Sequence, residues 1–271
     1  MIDLHSHILP GIDDGAQSWD ETLAMARIAV ADGVRVMVAT PHMMDTGPFA
    51  NRAPEVLALV AEAQERLEAA GIDLKVVPGG ELFLSPETPA GIRSGELLTY
   101  ANQRRYALVE LPGDDVPAFA EQALFECQLA GVTPVLAHPE RNAVLVHDLD
   151  RLAGWVERGV LLQVNALSLV SQSEGLMRRA AEELIERRLV HFIASDAHTT
   201  RRRRPGLSRA KKRVAALAGE EMAQILVAEN PRLLLSGEPV RVFEPVKPKR
   251  RGKLFSRLFG RKAREQRATF L

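Results

Sequence analysis

Residues 118–140 read AFAEQALFECQLAGVTPVLAHPE. An amphipathic run of helical period gives way at Gly131 to a short apolar burst rich in β-branched residues, and the burst ends on His138. Glycine just past a periodic run suits the left-handed position that closes a helix. The stretch therefore spells helix, cap, strand, and then a metal-ligand type of residue at the strand's far end.

The same phrase recurs along the chain. TLAMARIAVAD leads through Gly33 to VRVMVATPH, VLALVAEAQERLEAA through Gly71 to IDLKVVPGGE, and DRLAGWVER through Gly159 to VLLQVNA. EELIERR passes without a glycine to LVHFIASDAH, and IDLHSH and YALVEL bring the expected strands to about seven. Short strands without apolar–polar alternation are buried on both faces, as in a parallel sheet covered by helices, and sequential crossovers close most simply into a barrel. The alternative is an open doubly wound sheet. Ser18 followed by Glu21 reads as a capping box, which makes residues 12–17 the first strand-to-helix loop.

Composition bounds the rest. The 271 residues are 46% hydrophobic, enough for one large core. Cys127 is the single cysteine, so no disulfide framework exists and a reducing cytoplasm is expected. No basic-then-apolar leader precedes Ile2, and no apolar run approaches the ~20 residues of a spanning helix. The formal charge is zero, but residues 247–271 hold ten Lys or Arg and one acid, net plus nine, which leaves minus nine for the remainder. An acidic body with a basic extension is not the pattern of a nucleic-acid reader. The expected organisation is a barrel over residues 1–240 and a tail over 247–271. In that tail Leu254, Phe255, Leu258 and Phe259 share one helical face among cations, so it is read either as a segment lying on an anionic inner membrane or as a disordered extension.

Polar and ligand-type residues punctuate the strand ends: the ligand types His5 and His7, His42, Glu81, Glu110 and His138, then the polar Gln163 and Asn165, then Asp196 and His198, again ligand types. The carboxyl end of a barrel is where this architecture builds its sites. Two residues apart in a strand, His5 and His7 face the same side, as do Asp196 and His198. A lone H-x-H is more often ordinary hydrogen bonding than metal; the conjunction is what points to metal. Eight candidate ligands exceed the four of a closed structural zinc site and imply two or three ions sharing carboxylates. Mixed imidazole and carboxylate donors suit manganese, iron or zinc. Asp14, in the first loop beside Gly15, adds a further carboxylate, with its neighbour Asp13 the less favoured choice.

Bridging ions acidify bound water, which makes the expected chemistry hydrolysis by attack of hydroxide. Arg141, three residues past His138, and Arg203 and Arg204, past His198, fall on loops over the same end. Their guanidinium groups are suited to phosphoryl oxygens. A cysteine-based phosphatase is excluded, because Thr133 stands six residues after Cys127 where an arginine is needed, and no P-loop is present.

Together DLHSHILPGIDDG, TPH, GGELFL, ALVEL, AHPERN and ASDAH resemble the PHP (polymerase and histidinol phosphatase) superfamily. Their order and spacing are most similar to its bacterial manganese-dependent protein-tyrosine phosphatases of capsule and exopolysaccharide biosynthesis, from Met1 to about Pro239. The resemblance implies a distorted, TIM-like (β/α)7 barrel of one domain with a trinuclear site. It implies metal roles for His5, His7, Asp14, His42, Glu81, Glu110, His138, Asp196 and His198, and phosphate contacts from Arg141 and from one of Arg203 or Arg204. The implied partner is a bacterial tyrosine autokinase with a tyrosine-rich tail. Two other activities remain compatible: a phosphoesterase for a small metabolite such as histidinol phosphate, and a non-catalytic barrel that docks the kinase. The loop MMDTGPFANR after His42 is less basic than in some relatives, and Thr199 stands where asparagine is frequent.

Overall fold

The computed structural model describes residues 1–171 and 175–246; the basic tail read above lies outside the described residues. The chain alternates strands β1 (Ile2–Ser6), β2 (Val36–Ala39), β3 (His42–Met43), β4 (Lys75–Pro78), β5 (Glu81–Phe83), β6 (Tyr106–Glu110), β7 (Thr133–Ala137), β8 (Leu161–Asn165) and β9 (Phe192–Ala194) with an outer ring of helices. The helices are α1 (Trp19–Ala31), α2 (Ala53–Ala69), α3 (Thr88–Ser94), α4 (Ala120–Leu129), α5 (Leu149–Glu157), α6 (Ala166–Val170), α7 (Gly175–Glu186), α8 (Ser208–Ala218), α9 (Glu220–Gln224) and α10 (Asn230–Leu235). All strand pairs are parallel, in the orders β1-β2-β4 and β3-β5-β6-β7-β8-β9.

Nine segments make seven strands, because two are broken. β2 stops and resumes as β3 around Thr40 and Pro41, and β4 resumes as β5 after Gly79 and Gly80. A Cβ on Gly80 would lie 2.4 Å from the Met43 sulfur, and one on Gly79 2.8 Å from Val38 Cγ1, so the break needs both glycines. Below the break β4 pairs only with β2; above it β5 pairs with β6. Buried Tyr100 packs with the interior residues at that open seam. At the other seam His7 N–H donates to Ala197 O at 2.8 Å and Asp196 N–H to His5 O at 2.9 Å, joining the last strand to the first. That joint closes the barrel and rules out the open sheet.

The interior is a stack of Leu4, Val38, Val77, Leu108, Val135, Leu161 and Phe192, while Met37, Val76, Val109, Leu136, Leu162 and Ile193 face the helices. Alternation along each strand separates the two sets. Fully burying a side chain of this size contributes roughly 1.5–3 kcal/mol, so the stack is a packed floor under the mouth. A register shift between Asp3 and Ser6 bulges β1. It lets Leu4 join the floor and His5 also turn inward.

Helix ends follow the expected punctuation. Gly33, Gly71, Gly131 and Gly159 all have positive φ, and where EELIERR lacks a glycine Arg188 takes the left-handed position itself, at φ 59°. Ser18 caps α1, accepting from Glu21 N–H, but the reciprocal bond is displaced by one residue: Glu21 Oε2 accepts from Gln17 N–H.

Candidate metal centre

Each strand delivers its side chain to the mouth by a distinct local device. The first loop folds back until a Cβ on Gly15 would lie 2.1 Å from His7 O, so only glycine passes there. That approach sets Asp13 and Asp14 on opposite duties. Asp13 Oδ2 accepts from His7 Nδ1 at 2.7 Å and from His42 N–H, while Oδ1 accepts from Gly15 N–H. Asp14 Oδ1 stands 3.2 Å from His198 Nε2 and 3.4 Å from His42 Nε2. On β7 and β9 the turn comes from strained backbone: His138 has φ 31° and Asp196 φ 52°, left-handed conformations that non-glycine residues adopt at a cost. His42 and Glu81 are register partners across β3 and β5.

A buried hydrogen-bond chain fixes which nitrogen of His5 carries the proton. A carboxylate only accepts, so the Asn165 amide must point its Nδ2 at Asp196 Oδ2, 2.6 Å away. Asn165 Oδ1 then accepts from Gln163 Nε2 at 2.9 Å, and Gln163 Oε1 in turn faces His5 Nδ1 at 2.9 Å. His5 Nδ1 therefore donates and Nε2 holds a lone pair. Glu140, fully buried, anchors the chain from behind by accepting from Asn165 N–H at 2.9 Å. Asp13 sets the same tautomer on His7. Partners of this kind orient metal-binding imidazoles.

The consequence is a set of lone pairs facing one another. His5 Nε2 and His7 Nε2 lie 3.2 Å apart; Glu81 Oε2 is 3.3 Å from each, and Asp196 Oδ1 is 3.4 and 3.5 Å from them. Ligands held about 2.1 Å from one tetrahedral ion are roughly 3.4 Å from each other. Asp196 Oδ1 and His198 Nε2 are buried with no hydrogen-bond partner, a costly state that a cation relieves. Three groups have the spacing to hold an ion: His5, His7 and Glu81; His7, Asp14, His42 and His198; and His42, Glu81 and Glu110. His138 Nε2 adjoins the third, 2.9 Å from Glu81 Oε1 and 3.7 Å from Glu110 Oε1. All nine residues expected around metal thus converge at one mouth. The donor set fits divalent cations.

Titration follows the same field. Burial acts to lower His42 and His138, but Asp14 and Glu81 raise the first to about 10, and Glu81 raises the second to about 9. Burial pushes Glu110 up to about 7, with the charge of Glu81 adding to it. Burial would raise Glu81 and Asp196 too, yet the surrounding imidazoles, His5 foremost, hold both well below the carboxylate range. The carboxylates draw positive charge inward, and protons compete with ions for it.

The arginines divide. Arg203 donates to Asp196 Oδ2 at 2.5 Å. Arg204 is exposed and, like Arg203, lines an adjoining pocket, but it makes no bond to Asp196. Arg141 lines a separate cavity of about 200 Å³ with Glu110, His138 and Leu145. Asp13, the less favoured ligand in the sequence, braces His7 instead, and Gln163 and Asn165, expected only as polar strand ends, orient His5 and Asp196. The sequence did not single out Phe49, whose ring stacks on His42 at 5.5 Å. Period-two placement at a strand end beside candidate ligands was the available signal for Gln163 and Asn165; the preference for Asp14 over Asp13 rested on its place next to Gly15, and nothing in the sequence signalled that Asp13 would brace an imidazole.

The family model described as capsular polysaccharide synthesis, CpsB/CapC, matches residues 1–236, and the chain belongs to that family. It is 36% identical over 255 residues to the tyrosine-protein phosphatase YwqE of Bacillus subtilis, covering 94% of this chain and 99% of that one. Tyrosine-protein phosphatase CpsB of Streptococcus pneumoniae is 29% identical over 240 residues, covering 87% of this chain and 98% of that one. A crystal structure from work on YwqE and CpsB, described as unique metal-dependent tyrosine phosphatases, superposes with a TM-score of 0.86 at 35% identity, over 92% of this chain and 100% of the other. A dihydroorotase from Campylobacter jejuni shares the fold alone, with a TM-score of 0.54 at 12% identity, over 89% of this chain and 84% of the other.

Proposed function

We propose that this protein is a metal-dependent protein-tyrosine phosphatase that removes phosphate from a bacterial tyrosine autokinase controlling capsule or exopolysaccharide synthesis. The observation that carries the reading is the convergence of oriented imidazole lone pairs and buried carboxylates on one mouth, with Arg203 at its edge. Membership of a family whose named relatives are tyrosine phosphatases supports it.

In this reading two or three divalent ions sit among His5, His7, Asp14, His42, Glu81, Glu110, His138, Asp196 and His198. Manganese is the first choice, with iron or zinc as alternatives. When bound, such ions supply Lewis acidity and an acidified water. Asp13 and Gln163 keep His5 and His7 in the ligating tautomer. Arg203, on the loop after β9, and Arg141, on the loop after β7, take the phosphoryl oxygens and offset charge as it builds in the transition state. A phenol with pKa about 10 leaves with little help from a general acid. The barrel is assigned to residues 1–240 and the tail to 247–271, where a basic segment beside a membrane-bound kinase would favour a peripheral position at the inner membrane. No helix among the described residues is long and apolar enough to cross a membrane.

The test is phosphate release from a phosphotyrosine peptide by chelated and then manganese-reloaded protein, beside His42→Ala, Arg141→Ala and a histidinol phosphate control. Expected are metal-restored turnover of the peptide, its loss in both variants, and little turnover of histidinol phosphate. No peptide turnover under manganese, iron or zinc sinks the proposal.

A further inference from the structure

Beside the metal centre, between the loop that follows β9 and helix α6, lies a pocket of about 280 Å³ that the chemistry above leaves unused. Its lining combines apolar Leu167, Val170 and Pro205 with Arg201, Arg202, Arg203, Arg204 and Arg209. Five guanidinium groups at one pocket repel each other unless something offsets them. The one acid lining it, Asp32, supplies a single negative charge against five and pairs directly with none of them, its carboxylate accepting instead from Leu207 N–H at 2.6 Å, from Ser208 N–H at 2.8 Å and from the Ser208 hydroxyl at the N-terminus of α8. Arg203 pairs with Asp196 through one of its nitrogens. Among the described residues the side chains of Arg201, Arg202, Arg204 and Arg209 join no ion pair, although the body of the protein carries excess acid elsewhere.

Two features tie the pocket to the metal centre. Arg203 lines the pocket and reaches Asp196 itself, and Ser195, also on its wall, is the residue before Asp196. Neighbouring residues of an extended peptide are about 3.4 Å apart along its axis, so a chain with one residue at the metals beside Arg203 carries its next few residues past the part of the lining that Arg203 and its neighbour Arg202 supply. The pocket thus joins basic and apolar side chains on a wall that begins at the metal centre with Ser195 and Arg203 and runs along the barrel toward Asp32.

We propose that this pocket is a second substrate subsite, which takes an acidic side chain, Asp or Glu, placed one to three positions from the phosphotyrosine. The inference rests on the phosphatase reading above. The methylenes of the acidic residue lie on the apolar part of the lining, and its carboxylate accepts charge-assisted hydrogen bonds from Arg202 and Arg209. Charges of this kind act on encounter and ground-state binding, so the effect falls on KM and weakens with salt.

The measurement is kcat/KM for three phosphotyrosine peptides of equal length, flanked by Glu, by Gln or by Lys, with p-nitrophenyl phosphate as a flank-free control. The manganese-loaded full chain is compared with Arg202→Ala, Arg209→Ala and the double variant Arg202→Glu with Arg209→Glu. The wild type is expected to favour the acidic over the neutral peptide about fivefold, mostly through KM, with the preference shrinking as salt rises. Each alanine variant reduces that preference, the double variant erases or inverts it, and p-nitrophenyl phosphate turnover is unchanged throughout. If the wild type turns over p-nitrophenyl phosphate but treats the three peptides within twofold, or if the double variant keeps the acidic preference, the subsite is refuted and the phosphatase reading stands. If the wild type turns over none of the substrates with any of the three metals, both are refuted.

Discussion

One side chain type sits at both ends of this barrel and behaves oppositely. At the floor, His191 is 2% exposed and burial pushes its imidazole down to about 4, so it stays neutral and accepts from Leu162 N–H through Nδ1 at 3.1 Å. At the mouth, His42 and His138 are pulled up to about 10 and about 9 by Asp14 and Glu81. The two ends are built on the same strands, a few residues apart. The floor satisfies itself by packing, whereas the mouth concentrates charges that only cations from outside can satisfy. Stability is invested at one end so that the other can remain incomplete.

The largest expected effect breaks the floor. Phe192, fully buried in the interior stack, is the bulkiest side chain there apart from Tyr100 and Tyr106. Phe192→Ala should lower stability by about 3–5 kcal/mol in urea unfolding. Metal stoichiometry at low temperature should be unchanged, and a variant that unfolds no more easily than wild type would show that the floor does not carry the barrel.

A second test uses the floor histidine. The imidazole's ordinary value is near 6.5 and the folded value about 4, so below pH 6.5 the unfolded chain binds a proton that the native state refuses. Stability from this group is therefore fully present above pH 6.5, falls as pH drops toward 4, and is flat below that. The change should be on the order of 3 kcal/mol. His191→Gln should flatten that part of the profile; an identical profile in the variant would assign the acid sensitivity elsewhere.

At the mouth the effects are smaller and of another kind. A divalent ion at 100 times its dissociation constant should raise stability by about 2.7 kcal/mol, seen as a melting temperature that climbs with metal and returns on chelation. A melting temperature indifferent to every divalent ion would remove the distinction between the two ends. Asn165→Ala, which frees Asp196 and breaks the chain to His5, should weaken metal binding about 10–100-fold by competition with a chromophoric chelator. Its apo-protein should unfold close to wild type, and unchanged affinity would leave the hydrogen-bond chain without a part in ligation.

Much of this architecture was legible in the sequence because the signals were local. Four helices close on glycines whose positive φ is a backbone requirement, and strand ends advertise themselves by the switch from apolar residues to histidine and carboxylate. What was not legible depends on contacts between distant residues. Asp13 and Asp14 are adjacent and chemically alike, and only the approach of Gly15 to His7 decides which one braces an imidazole and which one points into the mouth. Arg203 and Arg204 are separated in the same way by the turn in which His198 N–H and Thr199 N–H both donate to Arg203 O. The breaks in two strands follow from the seam that Tyr100 fills, 20 residues from Gly80 and 21 from Gly79.

Those breaks also divide the sheet into cooperative units. β3 and β5, two and three residues long, carry His42 and Glu81 and are bonded toward β6, while β2 and β4 below them are bonded toward β1. Opening the short upper pair disrupts few backbone bonds and leaves the interior stack covered, so its amides should exchange with solvent far sooner than those of β7 and β8. The mouth can then admit and release its ions through a local fluctuation, without the fold as a whole having to open.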